Sequence, residues 1–333
     1  MRYLKLGRSE LEASVVGFGA WAIGGGASWG KKVDDQGAID TVHAALDAGI
    51  NFIDTAPAYG WGHSERVLRK ALAGRRDEVV LATKCGLWWD DGRGSFFADF
   101  EGKALYRSLR PDTIAEEVER SLQNLGVDCI DLYQTHWPAM DPDNTPIAET
   151  MGALKQLQQD GKIREIGVCN TTPEELEENV ASGPVATCQF RYSMLARDPD
   201  KALLPLCKKL GLSTMTYMTL EQGLLTGKVT MDTRFEEGDI RTSAAWNAWY
   251  LPSNRVRIID LLEGWRGICE EHGCTLAQLV LAWTLHQDGV THVLAGARRP
   301  DQISDTANAA DLQLGGYAED PGVGAGVIEG FRQ

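Results

Sequence analysis

Residues 165–190 read EIGVCNTTPEELEENVASGPVATCQF. Two short apolar runs, Glu165–Cys169 and Ala186–Phe190, bracket a stretch that opens Thr172-Pro173-Glu174-Glu175. That opening is how a helix begins. The threonine hydroxyl takes a free backbone N–H, and proline fits the first helical position, where no donor is needed. The acids face the positive end of the helix dipole. Strand, helix and strand in so short a span make one βα unit of a parallel sheet.

The alternation extends in both directions. Ser14–Ala20, Asn51–Thr55, Val79–Lys84, Ile130–His136, Leu212–Tyr217 and His292–Ala295 are further strand candidates, giving eight with the first two. Between them, apolar residues recur three and four apart, as in Ile39, Val42, Leu46, or Ile114, Val118, Leu122, Leu125, or Ile147, Met151, Leu154, Leu157. Each set is one helix stripe facing a sheet. Ser64, before ERVLRKAL, reads as another helix cap. Gly49, Gly161 and Gly211 stand where left-handed backbone ends a helix. Eight such units predict an α/β fold, a single (β/α)8 TIM barrel over 1–333, rather than an open sheet. Residues 1–14, with Tyr3–Leu6 and Leu11–Ser14 around Gly7-Arg8, read as a β-hairpin plugging the barrel bottom. Gly86–Pro111 and Lys228–Ser253, after the third and seventh strands, are too long for turns. They leave the strands' C-terminal ends, the face where barrel enzymes carry their sites. Residues 315–333 form a loosely patterned tail.

Composition narrows the function. A net charge of −14 disfavours nucleic acid or an anionic membrane as partner, while leaving room for one anionic ligand in a local basic pocket. The seven cysteines, Cys85, Cys129, Cys169, Cys188, Cys207, Cys269 and Cys274, include no CxxC pair, which predicts free thiols in a reducing compartment. No leader-like N-terminus and no apolar run of membrane-spanning length is present, so a cytoplasmic protein is expected. The glycines form neither GxGxxG nor a P-loop, and His63 and His136 lack partners at metal-ligand spacing, so no metal is expected. Nothing in the sequence marks an oligomeric state.

Chemistry gathers at the strand ends. The second strand ends in Asp54-Thr55 with Tyr59 just beyond, the third in Lys84 and the fourth in His136. Singly, such a Lys or Asp is often a structural ion pair, and such a His a core residue. Together at one barrel mouth they make a proton-transfer group. Lys84 would lower the pKa of Tyr59, Asp54 would keep Lys84 charged, and His136 would orient a carbonyl.

The segments GFGAWAIGG, NFIDTAPAYGWGHSE, LATKCG, RPDTIAEEVERSLQNLGVDCIDLYQTHWP, GKIREIGVCN, QGLLTGK and GARRPDQISD resemble the aldo-keto reductase superfamily over about residues 1–312. LLTGK followed by FEEGDIR is most like its bacterial aldose and polyol reductase branch. The resemblance implies a carbonyl reductase in which Tyr59 is the general acid, Lys84 its partner, Asp54 the carboxylate behind the lysine and His136 the carbonyl-orienting residue. It implies cofactor contacts from Gly19, Ala20, Trp21, Asp54, Cys169, Arg241 and Gly296, from Asn170 and Gln189 at the carboxamide, and from Tyr217 stacked on the nicotinamide. Leu220, Gln222 and Lys228 would lie along the pyrophosphate, and Arg298, Gln302 and Asp305 toward the adenosine end. Cys169 replaces a usual Ser, Met218-Thr219 a common Ser-Pro, and Thr306 a common Asn, so the grip is expected to differ in detail. Arg298 and Arg299 offer charge to a 2′-phosphate, which favours NADP(H) over NAD(H).

Trp21, Trp29, Trp61, Trp88, Trp137 and Trp249 fall on loops of the catalytic face, as do Trp89 and Trp246. The first six are candidates for an aromatic substrate pocket taking a small carbonyl or alcohol, a sugar or sugar derivative among them. Trp265 and Trp283 read as packing. Asp90, Asp91, Asp99 and Glu101 argue against an anionic substrate. Two other readings use the same fold: a Schiff-base lyase built on Lys84, and a cofactor-sensing auxiliary subunit with slow turnover.

Overall fold

The computed structural model describes residues 1–26, 28–29, 34–100, 102–236, 238–243 and 247–315. Glu101, Trp246 and the tail beyond residue 315 lie outside them.

The strands are β1 (Tyr3–Lys5), β2 (Glu12–Ser14), β3 (Val16–Gly19), β4 (Phe52–Asp54), β5 (Val80–Cys85), β6 (Leu87–Trp88), β7 (Ser95–Phe100), β8 (Lys103–Arg107), β9 (Ile130–Thr135), β10 (Ile163–Cys169), β11 (Thr187–Arg191), β12 (Ser213–Tyr217) and β13 (His292–Gly296). Eight of them close into an all-parallel barrel, β3-β4-β5-β9-β10-β11-β12-β13, with β13 pairing back to β3. The helices are α1 (Asp35–Asp47), α2 (His63–Ala71), α3 (Pro111–Leu125), α4 (Ile147–Gln159), α5 (Pro173–Ser182), α6 (Leu203–Leu210), α7 (Pro252–Gly264), α8 (Arg266–His272), α9 (Leu276–Leu285) and α10 (Pro300–Ala307). The predicted strands and stripes correspond to these elements within a few residues.

Period-two alternation positions the site. Phe52, Val80, Ala82, Leu132, Met215 and Leu294 point inward and fill the lower barrel. Two residues further along the same inward rows come Asp54, Lys84, Gln134, Tyr217 and Gly296. The barrel's filling therefore changes from aliphatic to polar toward the C-terminal mouth. The hairpin β1–β2 closes the other end, as expected. Fully buried Leu6 joins the lower cluster, and Gly7 N–H donates to Ser213 Oγ at 2.8 Å. A Cβ on Gly7 would stand 2.4 Å from the Ala186 carbonyl oxygen, which fixes glycine at this contact.

Two expectations need correction. Ser64 does not cap α2: the cap position is Gly62, in left-handed backbone, and the buried Ser64 hydroxyl donates to the Ala20 carbonyl instead. The segment Gly86–Pro111 is not simply a loop, because β6, β8 and β7 form a three-stranded antiparallel sheet beside the mouth. By contrast Thr172 does cap α5, and its box with Glu175 is complete.

Candidate active site

Lys84 is fully buried, and its Nζ donates to Asp54 Oδ1 at 2.5 Å, to the Thr55 carbonyl at 2.9 Å and to Tyr59 Oη at 3.4 Å. The other Asp54 oxygen accepts from Gln134 Nε2 and Gln189 Nε2, both at 3.0 Å. The buried carboxylate is thus saturated by one cation and two amides, the condition under which a buried ion pair holds its geometry. Gln134 was not singled out from the sequence. It lies two residues before His136 on the same inward row, and that parity was the signal available.

Tyr59 is carried by the turn after β4, where Ser64 N–H donates to the Tyr59 carbonyl at 3.2 Å. Gly24 and Gly60 let two backbones meet over it: a Cβ on Gly60 would lie 2.1 Å from the Gly24 carbonyl oxygen. The tyrosine ring faces His136 edge-on, with centroids 5.8 Å apart. Desolvation raises the Tyr59 phenol to about 12, because it outweighs the opposing pull of Lys84. This corrects the expectation of a lowered value: the lysine moderates the rise without reversing it. Burial opposes the charge on Lys84, but Asp54 and Tyr59 more than offset this and raise it. His136 is pushed well below its ordinary value by desolvation, then by Lys84 and Arg107, and is neutral near pH 7.

One cavity of about 590 Å³ runs from this group across the barrel mouth. Asn170 lies near its catalytic end in left-handed backbone, φ +58°, which asparagine tolerates. Its Nδ2 donates to the His136 carbonyl at 2.9 Å, and its Oδ1 accepts from Tyr217 Oη at 2.6 Å. Gly19, Trp21, Cys169 and Gln189 line the same end. Leu220, Gln222, Lys228 and Arg241 also line it, and the backbone kinks at Gln222 (φ +54°) and Gly223 (φ +96°). Gly296, paired with Gly19 across β13–β3, lines it as well, as do Arg298, Gln302 and Asp305.

Three residues expected at the cleft lie elsewhere. Ala20 is buried beneath it, with its carbonyl bonded to Ser64. Trp88 is fully buried, donates from Nε1 to Asp91 at 2.8 Å and packs against Arg93 and Arg120. Trp249 belongs to the core between barrel and helices. Trp21, Trp29, Trp61 and Trp137 do line the cavity, joined by Phe97 and Phe100. Arg191, at the end of β11, also lines it, with its Nη2 on the buried Glu221 at 2.6 Å. It was missed, although it stands on the same strand face as Gln189.

A family model described as "Aldo/keto reductase family" matches residues 15–317. The chain belongs to the aldo-keto reductase family. It is 41% identical to an Escherichia coli (strain K12) protein named NADH-specific methylglyoxal reductase over 94% of this chain and 95% of that one. It is 40% identical to the Bacillus subtilis (strain 168) aldo-keto reductase YhdN, over 91% and 87%. Among solved structures, the glycerol dehydrogenase AKR11B4 from Gluconobacter oxydans superposes with a TM-score of 0.83 at 36% identity, over 95% of this chain and 92% of that one. These matches support the bacterial branch of the family. Members of the family are oxidoreductases acting on small carbonyl or alcohol substrates with a nicotinamide cofactor. Among the described residues, no helix is long and apolar enough to cross a membrane.

Proposed function

We propose that this protein reduces an aldehyde or ketone to the alcohol, or runs the reverse oxidation, with NADP(H) in preference to NAD(H). The observation that carries the reading is the linked set Asp54–Lys84–Tyr59 facing His136 at one end of a long cleft. The lining suits a nicotinamide dinucleotide. Asn170 and Gln189 offer amides to a carboxamide, Tyr217 a ring to stack on, Lys228 and the kinked backbone donors to phosphates, and Arg298 a guanidinium to the adenosine end.

When bound, the cofactor supplies or accepts a hydride. The chain's own residues manage the proton and the geometry. Neutral His136 donates an N–H to the substrate oxygen and turns the carbonyl toward Tyr59. Tyr59 Oη gives its proton to that oxygen as negative charge develops on it. The charge on Lys84 stabilises the resulting phenolate, and Asp54 keeps Lys84 protonated and in place. Trp21, Trp29, Trp61 and Trp137 wall off water. Lys84 is unsuited to a Schiff base: its ammonium has three acceptors, and its raised pKa leaves no lone pair for a carbonyl.

The NADP(H) preference rests on Arg298, which has no acid partner among the described residues. Arg299 is engaged by Asp301 at 2.9 Å, so one of the two cations the sequence offered is already compensated. Sugar-derived carbonyls and a cytoplasmic location belong to the same proposal; all seven cysteines are free thiols, which suits a reducing compartment. The test is NADPH and NADH consumption against aldehydes, ketones and aldoses, with Tyr59→Phe alongside. The variant is expected to lose about 10²- to 10⁴-fold in kcat while still binding cofactor. Equal activity of the two proteins would remove Tyr59 as the acid, and tighter NADH than NADPH would reverse the cofactor preference. Cofactor retained without turnover in either direction would favour the auxiliary subunit.

A further inference from the structure

Arg107 ends β8, the middle strand of the sheet beside the mouth. Leu87 is its cross-strand partner, and Leu105, two residues back, shares its face. Both leucines line the cleft, so the arginine stands on the cleft side of the sheet. Its guanidinium lies 4.5 Å from the Phe97 ring centroid and 4.6 Å from that of Trp137, and both rings line the cleft.

Lys103, on the same strand, lies over the Trp61 and Trp89 rings, while two arginines nearby are paired with acids. Arg93 pairs with Asp91, Asp112 and Glu116, and Arg120 with Asp90. Arg107 has no such partner among the described residues, and its Nε is buried without an acceptor. Burial lowers its pKa, with only Glu175 drawing the other way. Phe97 and Trp137, whose ring centroids are 5.9 Å apart, form a corner beside the guanidinium and stabilise its charge. They leave the Nε–H unanswered, which is unfavourable for a buried donor, and leave the Nη groups free to bond a ligand. The charge also reaches the reacting end, since it is one of the causes that push His136 down.

We propose that Arg107 receives a carboxylate of the substrate, so that the cleft selects carbonyl compounds carrying one negative charge away from the carbonyl. This rests on the reductase reading and names its substrate class. A guanidinium edge presents parallel N–H groups that match a carboxylate. One guanidinium offsets one charge, which fits a carboxylate better than a doubly charged phosphate. The acids of this segment do not oppose it: Asp90 and Asp91 are paired with arginines, and Asp99 accepts from the Gly102 N–H. None of the three lines the cleft; Arg107 itself stands one layer back, touching the lining rings of Phe97 and Trp137, where none of these acids touches them. The expectation against an anionic substrate, drawn from these acids, is thereby weakened.

The test compares 4-carboxybenzaldehyde with its methyl ester, in wild type, Arg107→Met and Arg107→Lys. Methionine keeps an apolar stem against Phe97 and Trp137 and removes the charge. The wild-type KM for the acid should lie about tenfold or more below that for the ester, the value of one charge-assisted hydrogen bond. Arg107→Met should bring the ratio near one, and Arg107→Lys should restore part of it. Equal KM values in the wild type, or a variant that raises both in proportion, would overturn the proposal and leave Arg107 a packing residue. If neither aldehyde is reduced, the reductase reading has failed, and Arg107 is judged without turnover. Tryptophan fluorescence is then titrated with benzoate and with benzamide. Tighter benzoate that depends on Arg107 upholds the carboxylate site, and equal affinities overturn it.

Discussion

The two walls of the cleft are built differently. The catalytic wall stands on barrel strands: Asp54, Lys84 and Gln134 are fixed by pairing on both sides and by one another. The opposite wall stands on β6–β8, a small sheet outside the barrel whose aromatic rings are held by stacking and by cations. Chemistry common to a family suits the first kind of support, which tolerates almost no change. Substrate choice suits the second, which can vary without disturbing the barrel.

The sharpest way to break the contrast is Lys84→Met. It removes the cation from a buried carboxylate and the partner from Tyr59 together. Leaving Asp54 charged and unpaired should cost about 3–5 kcal/mol of stability, and kcat/KM should fall at least as far as in Tyr59→Phe. Urea denaturation and steady-state kinetics read the two losses. If the variant were as stable as wild type, the ion pair would not be the keystone of the catalytic wall.

On the other wall the expected losses separate by residue. Trp88 is fully buried in the small sheet, and Trp61 lines the cleft with its ring edge-to-face against Trp89, centroids 5.3 Å apart. Trp88→Ala should destabilise by about 3–5 kcal/mol, as local opening of residues 86–110 visible in hydrogen exchange. Trp61→Ala should leave exchange unchanged and raise KM for bulky carbonyls by about tenfold. Similar behaviour of the two variants would mean that the wall does not divide into support and lining.

The same contrast explains what the sequence revealed. Barrel strands announce themselves, because a buried parallel strand is a continuous apolar run and its last inward residue is fixed by parity. Asp54, Lys84 and His136 were legible for that reason. The capping box at Thr172 was legible because its hydrogen bonds are local. Ser64 carries the same local signal, but a tertiary contact to Ala20 claimed its hydroxyl. The β6–β8 sheet was hidden because the irregularity between Phe96 and Ala98 breaks the two-residue period. Which tryptophans face inward depends on that sheet, so Trp88 could not be told from Trp61. Arg107 lay on an unrecognised strand, and its lack of a partner is a fact of three dimensions.

Glu117 joins the two walls and carries a prediction read as a slope against pH. It lies on α3, fully buried, and its Oε2 accepts the Gly86 N–H at 2.8 Å, where the barrel strand β5 passes into the small sheet. Its Oε1 has no partner among the described residues. Burial raises the carboxyl to about 8, with the Gly86 N–H and Arg120 pulling down and Glu65 pushing up. Between the ordinary carboxylate range and about 8, the folded protein keeps this proton while the unfolded chain releases it. Stability therefore falls as pH rises through that window, by no more than about 1.4 kcal/mol per pH unit, and the contribution levels off above it. Glu117→Gln keeps an acceptor for Gly86 and cannot ionise, so it should flatten the fall between pH 5 and 8 and equal or exceed wild type at pH 8. Chemical denaturation across that range reads the slope. An unchanged slope would mean that Glu117 ionises freely where it lies, and that the junction between the rigid wall and the variable one is open to water.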